Sequence, residues 1–182
     1  MNNTLTAVSL FTGAGGMDIG FERAGVKIIF ANEMMSEAAQ TYNANHPVGV
    51  MVNDDIYNQL DTIDRYEGTD LVFGGPPCQG FSVAGKMNPD DERSKLIFTF
   101  LDVVEKVKPK AFVMENVKAL GVLEKWESVR KKYLDRASKL GYLCVPLAKI
   151  QSFVDWLNNL DEGTRQVIVK IGLFIAALGP FL

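Results

Sequence analysis

Ala7-Val8-Ser9-Leu10-Phe11-Thr12-Gly13-Ala14-Gly15-Gly16 is the stretch that decides the fold. The apolar run over 7–11 reads as a buried strand, the glycines break it, and residues 17–24 resume at helical spacing. The same alternation repeats outward. Residues 26–31 read as a strand, 37–45 as a helix and 48–52 as a weaker strand. Residues 70–73 form a short apolar strand that runs into Gly74-Gly75-Pro76-Pro77, where regular structure cannot continue. A helix over 95–107, a strand over 111–114, a helix over 125–140 stopped by Gly141 and a strand over 142–146 follow. Strands alternating with helices predict an α/β fold, a doubly wound and mostly parallel sheet.

The chain has 182 residues, 47% hydrophobic and 23% charged, enough for one globular domain and inconsistent with wholesale disorder. Its net charge of -3 argues against a stand-alone grip on duplex DNA, because phosphate neutralisation favours a basic surface. Two cysteines, Cys78 and Cys144, make no disulfide framework, and no signal peptide opens the chain. A reduced, cytoplasmic setting is expected, and no cluster suggests a metal site. From residue 149 the texture changes. Residues 152–160 are amphipathic, and 167–182 are nearly all apolar apart from Lys170, too short for a confident membrane span. The expected organisation is therefore a domain over 1–148 and an apolar helical tail over 149–182.

Three elements carry chemistry. Glycines at a strand-to-helix turn let a ligand approach backbone N–H groups, as at Phe11, Gly13, Ala14, Gly15 and Gly16. Glu33 ends the second strand, where a Rossmann-like fold places an acid for ribose hydroxyls. Met34 can cover an adenine face, and Asp55-Ile56 after the third strand can hold an adenine amino group and cover its ring. These residues point to an adenosine-containing cofactor and leave a nicotinamide and S-adenosylmethionine both open. Cys78 follows the fourth strand in a rigid turn at the ligand-binding edge, as a thiolate nucleophile would. Glu115, in Met114-Glu115-Asn116-Val117 at the end of the fifth strand, suits a proton donor with a raised pKa.

In order and spacing these elements resemble the DNA cytosine-5 methyltransferases over roughly residues 6–147. Phe11–Gly16 is similar to that family's cofactor loop, Asn32-Glu33 to its ribose-binding element and Pro76-Pro77-Cys78-Gln79 to its nucleophile motif. Glu115-Asn116-Val117 is similar to its catalytic Glu-Asn-Val, and residues 91–96 to the end of its mobile active-site loop. The resemblance implies a Rossmann-like methyltransferase fold and S-adenosylmethionine as cofactor. It implies Cys78 attack on a flipped cytosine in DNA, with Glu115 at N3. Gln79, Ser82 and Arg93 would contact the base or its backbone, with Pro77 and Leu96 beside the cofactor.

The chain also departs from the family. Ser9 stands where many relatives carry an acid in strand one, and no Gln-x-Arg-x-Arg element or target-recognition domain follows Gly141-Tyr142. The apolar tail does not match the family, and residues 154–157 with 161–165 bear a short resemblance to a segment of phage tail tape-measure proteins. A bacterial or phage-encoded methyltransferase front half, of the kind found in restriction-modification, is the expected identity, with weak or no turnover alone. Two alternatives stay open: an inactive cofactor-binding remnant, and one subunit of a split enzyme whose second polypeptide reads the DNA.

Overall fold

A computed structural model describes residues 4–77, 92–146 and 171–177, the last by its backbone. The element order is β1 (Thr6–Leu10), α1 (Gly16–Arg23), β2 (Lys27–Glu33), α2 (Ser36–Asn45), β3 (Met51–Asn53), α3 (Ile56–Gln59) and β4 (Leu71–Gly74). Then come α4 (Glu92–Val107), β5 (Ala111–Val117), α5 (Lys118–Val122), α6 (Glu127–Lys139), β6 (Leu143–Pro146) and β7 (Ile171–Ala177). The strands form one sheet in the order β3-β2-β1-β4-β5-β7-β6, with every pair parallel.

Side-chain alternation along the strands builds two cores. Ala7, Phe73 and Val113 face one side, where they pack with Tyr42 of α2 and with Met17 and Phe21 of α1. Val8, Val72 and Phe112 face the other, beneath α4 and α6, with Ile97, Phe100, Leu101, Val104, Trp126 and Tyr133. Phe73, Phe100, Phe112 and Trp126 are wholly buried. Each such side chain contributes about 1.5–3 kcal/mol of transfer free energy. Arg136 of α6 clamps α4 by donating to Asp102 at 2.6 Å and to Glu105 at 2.8 Å.

The expected helix over 125–140 divides into a single 3-10 turn, Glu124–Trp126, and α6. A larger correction concerns the tail. Ile171–Ala177 is a strand inserted between β5 and β6, not the helix expected there. A short, wholly apolar run has no period by which to separate a buried strand from a buried helix, and the free edges of β5 and β6 settle it. Among the described residues, no helix is long and apolar enough to cross a membrane.

Candidate active site

The chain path reverses between β1 and β4, and ligands of such sheets bind at the carboxyl ends of the strands there. The loop after β1 and the turn after β4 meet at that point. The Thr12 N–H donates to the Asn32 carbonyl at 3.1 Å, tying the glycine loop to β2. Phe11 takes the left-handed backbone, with φ 54°. For a bulky side chain this costs on the order of 1–3 kcal/mol, and here it accompanies a residue that walls the site.

Glu33 does more than face a ligand. Its Oε2 accepts the Gly13 N–H at 2.8 Å and its Oε1 accepts the Met35 N–H at 2.8 Å, so one carboxylate spans the glycine loop and the turn before α2. Asn32 Nδ2 donates to the Val52 and Asp54 carbonyls at 3.2 and 2.9 Å, bracing β2 against β3. Asp55 caps α3 by accepting the Tyr57 N–H at 3.0 Å.

These elements enclose a cavity of about 560 Å³ with a largely apolar wall. The predicted residues Phe11, Gly13, Glu33, Met34, Asp55, Ile56, Pro77 and Leu96 all line it. Asn32, part of the expected ribose-binding element, lines it as well, as do Met35, Tyr57 and Gly75, which had not been singled out as ligand contacts. Ala14, Gly15 and Gly16 are not part of its lining. Gly15, with φ +89°, instead packs into α2: a Cβ there would lie 2.1 Å from His46 Nε2.

A second recess of about 180 Å³ shares Phe11, Gly13 and Gly75 with the first and reaches Ser9, Asp18 and Glu115. Its floor carries a buried carboxylate that the sequence reading overlooked. Asp18 Oδ2 accepts from Ser9 Oγ and Oδ1 from Tyr42 Oη, each at 3.0 Å, so α1 delivers an acid to the serine of β1. The spacing of Asp18 from the glycine loop held no signal for this, because the contact depends on how α1 crosses β1.

Glu115 ends up on the same strand edge, half-buried, and burial raises its pKa above the ordinary glutamate value. Beside it, Asn116 Nδ2 donates to the Pro76 carbonyl at 3.1 Å, a buried bond that joins β5 to the turn after β4. Cys78, Gln79 and Ser82 lie outside the described residues, as do residues 154–157 and 161–165, while Arg93 falls in α4 with only its backbone described. No cluster of metal-ligating side chains occurs among the described residues.

A parallel sheet of this order, with a glycine loop after β1 and an acid at the end of β2, defines a Rossmann-like methyltransferase fold of the S-adenosylmethionine-dependent class. The chain belongs to the C-5 cytosine-specific DNA methylase family, whose family model matches residues 5–153. It is 36% identical to the type II methyltransferase M.FnuDI of Fusobacterium nucleatum over 87% of this chain and 43% of that protein. It is 39% identical to M1.HphI of Haemophilus parahaemolyticus over 92% of this chain and 45% of the relative. A match to M.AgeI of Thalassovita gelatinovora, 38% identical, covers 96% of this chain and 40% of the relative, so it runs past residue 153. The chain thus spans less than half the length of these curated relatives. Among solved structures, a prophage-encoded E. coli protein taken to be a DNA modification methyltransferase superposes with a TM-score of 0.64 at 32% identity, covering 74% of this chain and 38% of that one. The S. pombe Dnmt2 methyltransferase superposes at 0.56 and 25% identity, over 73% and 40%.

Proposed function

We propose that this chain forms the S-adenosylmethionine-binding and catalytic part of an enzyme that methylates C5 of cytosine in DNA. One observation carries the reading. Eight of the eleven residues assigned to the cofactor from sequence, all but Ala14, Gly15 and Gly16, line a single cavity, and Gly75 joins its wall to the recess that holds Glu115.

The cavity suits the cofactor. Phe11, Met34, Ile56 and Leu96 offer apolar faces to a purine, and Glu33 and Asp55 offer acceptors to ribose hydroxyls and an amino group. Glu33 already accepts two N–H groups, yet a carboxylate has lone pairs to spare for a ligand. S-adenosylmethionine, when bound there, supplies an electrophilic methyl group.

Cytosine C5 is a poor nucleophile, and the residues of this chain would correct that. Cys78 thiolate attacks C6 of the base, forming a C–S bond and pushing an electron pair toward C5. Glu115, whose burial favours its protonated form, donates to N3 and stabilises the enamine. C5 is then nucleophilic enough to take the methyl group. Loss of the C5 proton and expulsion of the thiolate restore the aromatic ring. The base must leave the duplex for Cys78 to reach its face. Gln79, Ser82 and Arg93 are assigned to hold it. The Val83–Arg93 stretch is the natural cover over the base, and it lies almost wholly outside the described residues.

Two measurements test this. Calorimetry should show S-adenosylmethionine binding to the full chain, abolished or strongly weakened in Glu33→Ala. DNA bearing 5-fluorocytosine should trap a denaturation-resistant adduct that Cys78→Ser lacks, because fluorine cannot leave as a proton. A folded chain that binds no S-adenosylmethionine refutes the cofactor reading. Binding without any adduct leaves a cofactor-binding remnant or one subunit of a split enzyme, and co-purification with a second polypeptide distinguishes those two.

A further inference from the structure

Gly75 follows β4 directly and has an ordinary, negative-side backbone, so no conformational demand calls for glycine there. Space does. A Cβ built at Gly75 would lie 2.8 Å from Glu115 Oε2, 3.8 Å from its Cβ and 3.9 Å from its Cδ, and these are the nearest atoms it would meet. The neighbouring Gly74 differs in kind: a Cβ there would lie 2.1 Å from the Leu10 carbonyl oxygen, against backbone that cannot yield. Gly74 therefore serves the approach of β1 to β4, while Gly75 meets only the flexible end of one side chain.

That side chain is the proposed acid. Gly75 is also where the two recesses share a wall. We infer that Gly75 is a positioning residue for Glu115, whose carboxyl rests against the bare Cα of Gly75 at the junction between the cofactor cavity and the catalytic recess. A side chain at this position pushes the carboxyl away without dismantling the sheet. Among the described residues, the other ionisable group of the recess is Asp18, committed to Ser9 and Tyr42. Among the described residues no hydrogen bond is found to the Glu115 carboxyl, and the Gly75 backbone packs closely against it. The inference rests on Glu115 being the proton donor; its test does not require turnover.

The test is carboxyl 13C NMR titration of the full-length chain, with the Glu115 signal assigned by its loss in Glu115→Gln. In Gly75→Ala the Glu115 midpoint should fall toward that of an exposed glutamate, with the urea midpoint little changed. The Glu115→Asp variant supplies the control. The shorter side chain ends near the present Cδ position, 3.9 Å from the added methyl, and so withdraws its carboxyl from the 2.8 Å approach. Its midpoint should be the same with Gly or Ala at position 75. An unchanged Glu115 midpoint in folded Gly75→Ala overturns the inference, as does an equal shift in the Glu115→Asp background, which would indicate a general disturbance. If Gly75→Ala alone fails to fold, recovery of folding in the Glu115→Asp background supports the inference and continued failure overturns it. Absence of S-adenosylmethionine binding by the parent chain would strike the functional reading and leave this result standing.

Discussion

Asp18 offers the most exacting test of how the floor of the site is held. It is wholly buried on α1 and joins three elements, accepting from Ser9 on β1 and from Tyr42 on α2 at 3.0 Å each. Asp18→Ala leaves two buried hydroxyl groups without their acceptor. At about 1–3 kcal/mol for each orphaned group, the loss should be roughly 2–6 kcal/mol. Asp18→Asn keeps one acceptor oxygen for one hydroxyl and offers its amide to the other, and should cost under about 1 kcal/mol. The pH dependence adds a second signature. Burial raises the Asp18 pKa, outweighing the opposing bonds from Ser9 and Tyr42 and the charge of His46. In the window immediately above the ordinary aspartate pKa, the folded state retains a proton that the unfolded chain releases. Its contribution to stability is therefore greatest below that window and declines as pH rises through it. Asp18→Asn should flatten this decline. Urea unfolding followed by tryptophan fluorescence at several pH values, with m-values checked for constancy, measures both effects. Equal losses in the Asn and Ala variants, or a loss below about 1 kcal/mol in Asp18→Ala, would refute the reasoning.

Three further outcomes are expected. Gly15→Ala should unfold the cofactor loop or the domain, since φ is +89° and the new methyl would strike His46 and Tyr42; Gly16→Ala, with open space around it at the start of α1, should be neutral or stabilising by about 0.5–1 kcal/mol, and paired thermal melts compare the two. Asn116→Ala orphans the buried Pro76 carbonyl and should cost about 1–3 kcal/mol in urea unfolding, with the turn after β4 becoming more susceptible to proteolysis than in the parent chain. Burial pushes the Cys144 thiol up to about 11, so at pH 8 only about one part in a thousand is thiolate and iodoacetamide should leave it unmodified on peptide mapping; rapid labelling would contradict its burial.

The parallel sheet was legible because its signals are local. Runs such as 7–11, 70–73 and 111–114 are short and apolar, each bounded by glycine, proline or a helical pattern, and β1, β4 and β5 form there. The tail was not legible in the same way. Ile171–Ala177 carries no periodicity, and only pairing with β5 and β6 makes it a strand.

Within the site, the sequence by itself determined which chemical groups are present and which strand ends carry them: the glycine loop after β1, Glu33 at the end of β2, Cys78 after β4 and Glu115 on β5. Those assignments follow from chain order, because in a parallel sheet every strand delivers its carboxyl end to the same edge. Tertiary structure alone decided what each group touches. It set Gly15 close against His46, gave Glu33 the added task of holding two loop N–H groups, and brought Asp18 to Ser9. It also put the Glu115 carboxyl against Gly75. Contacts of this kind depend on how helices cross the sheet and how adjacent strands are registered. Those are sums of many packing interactions across the chain, and no short stretch of sequence contains them.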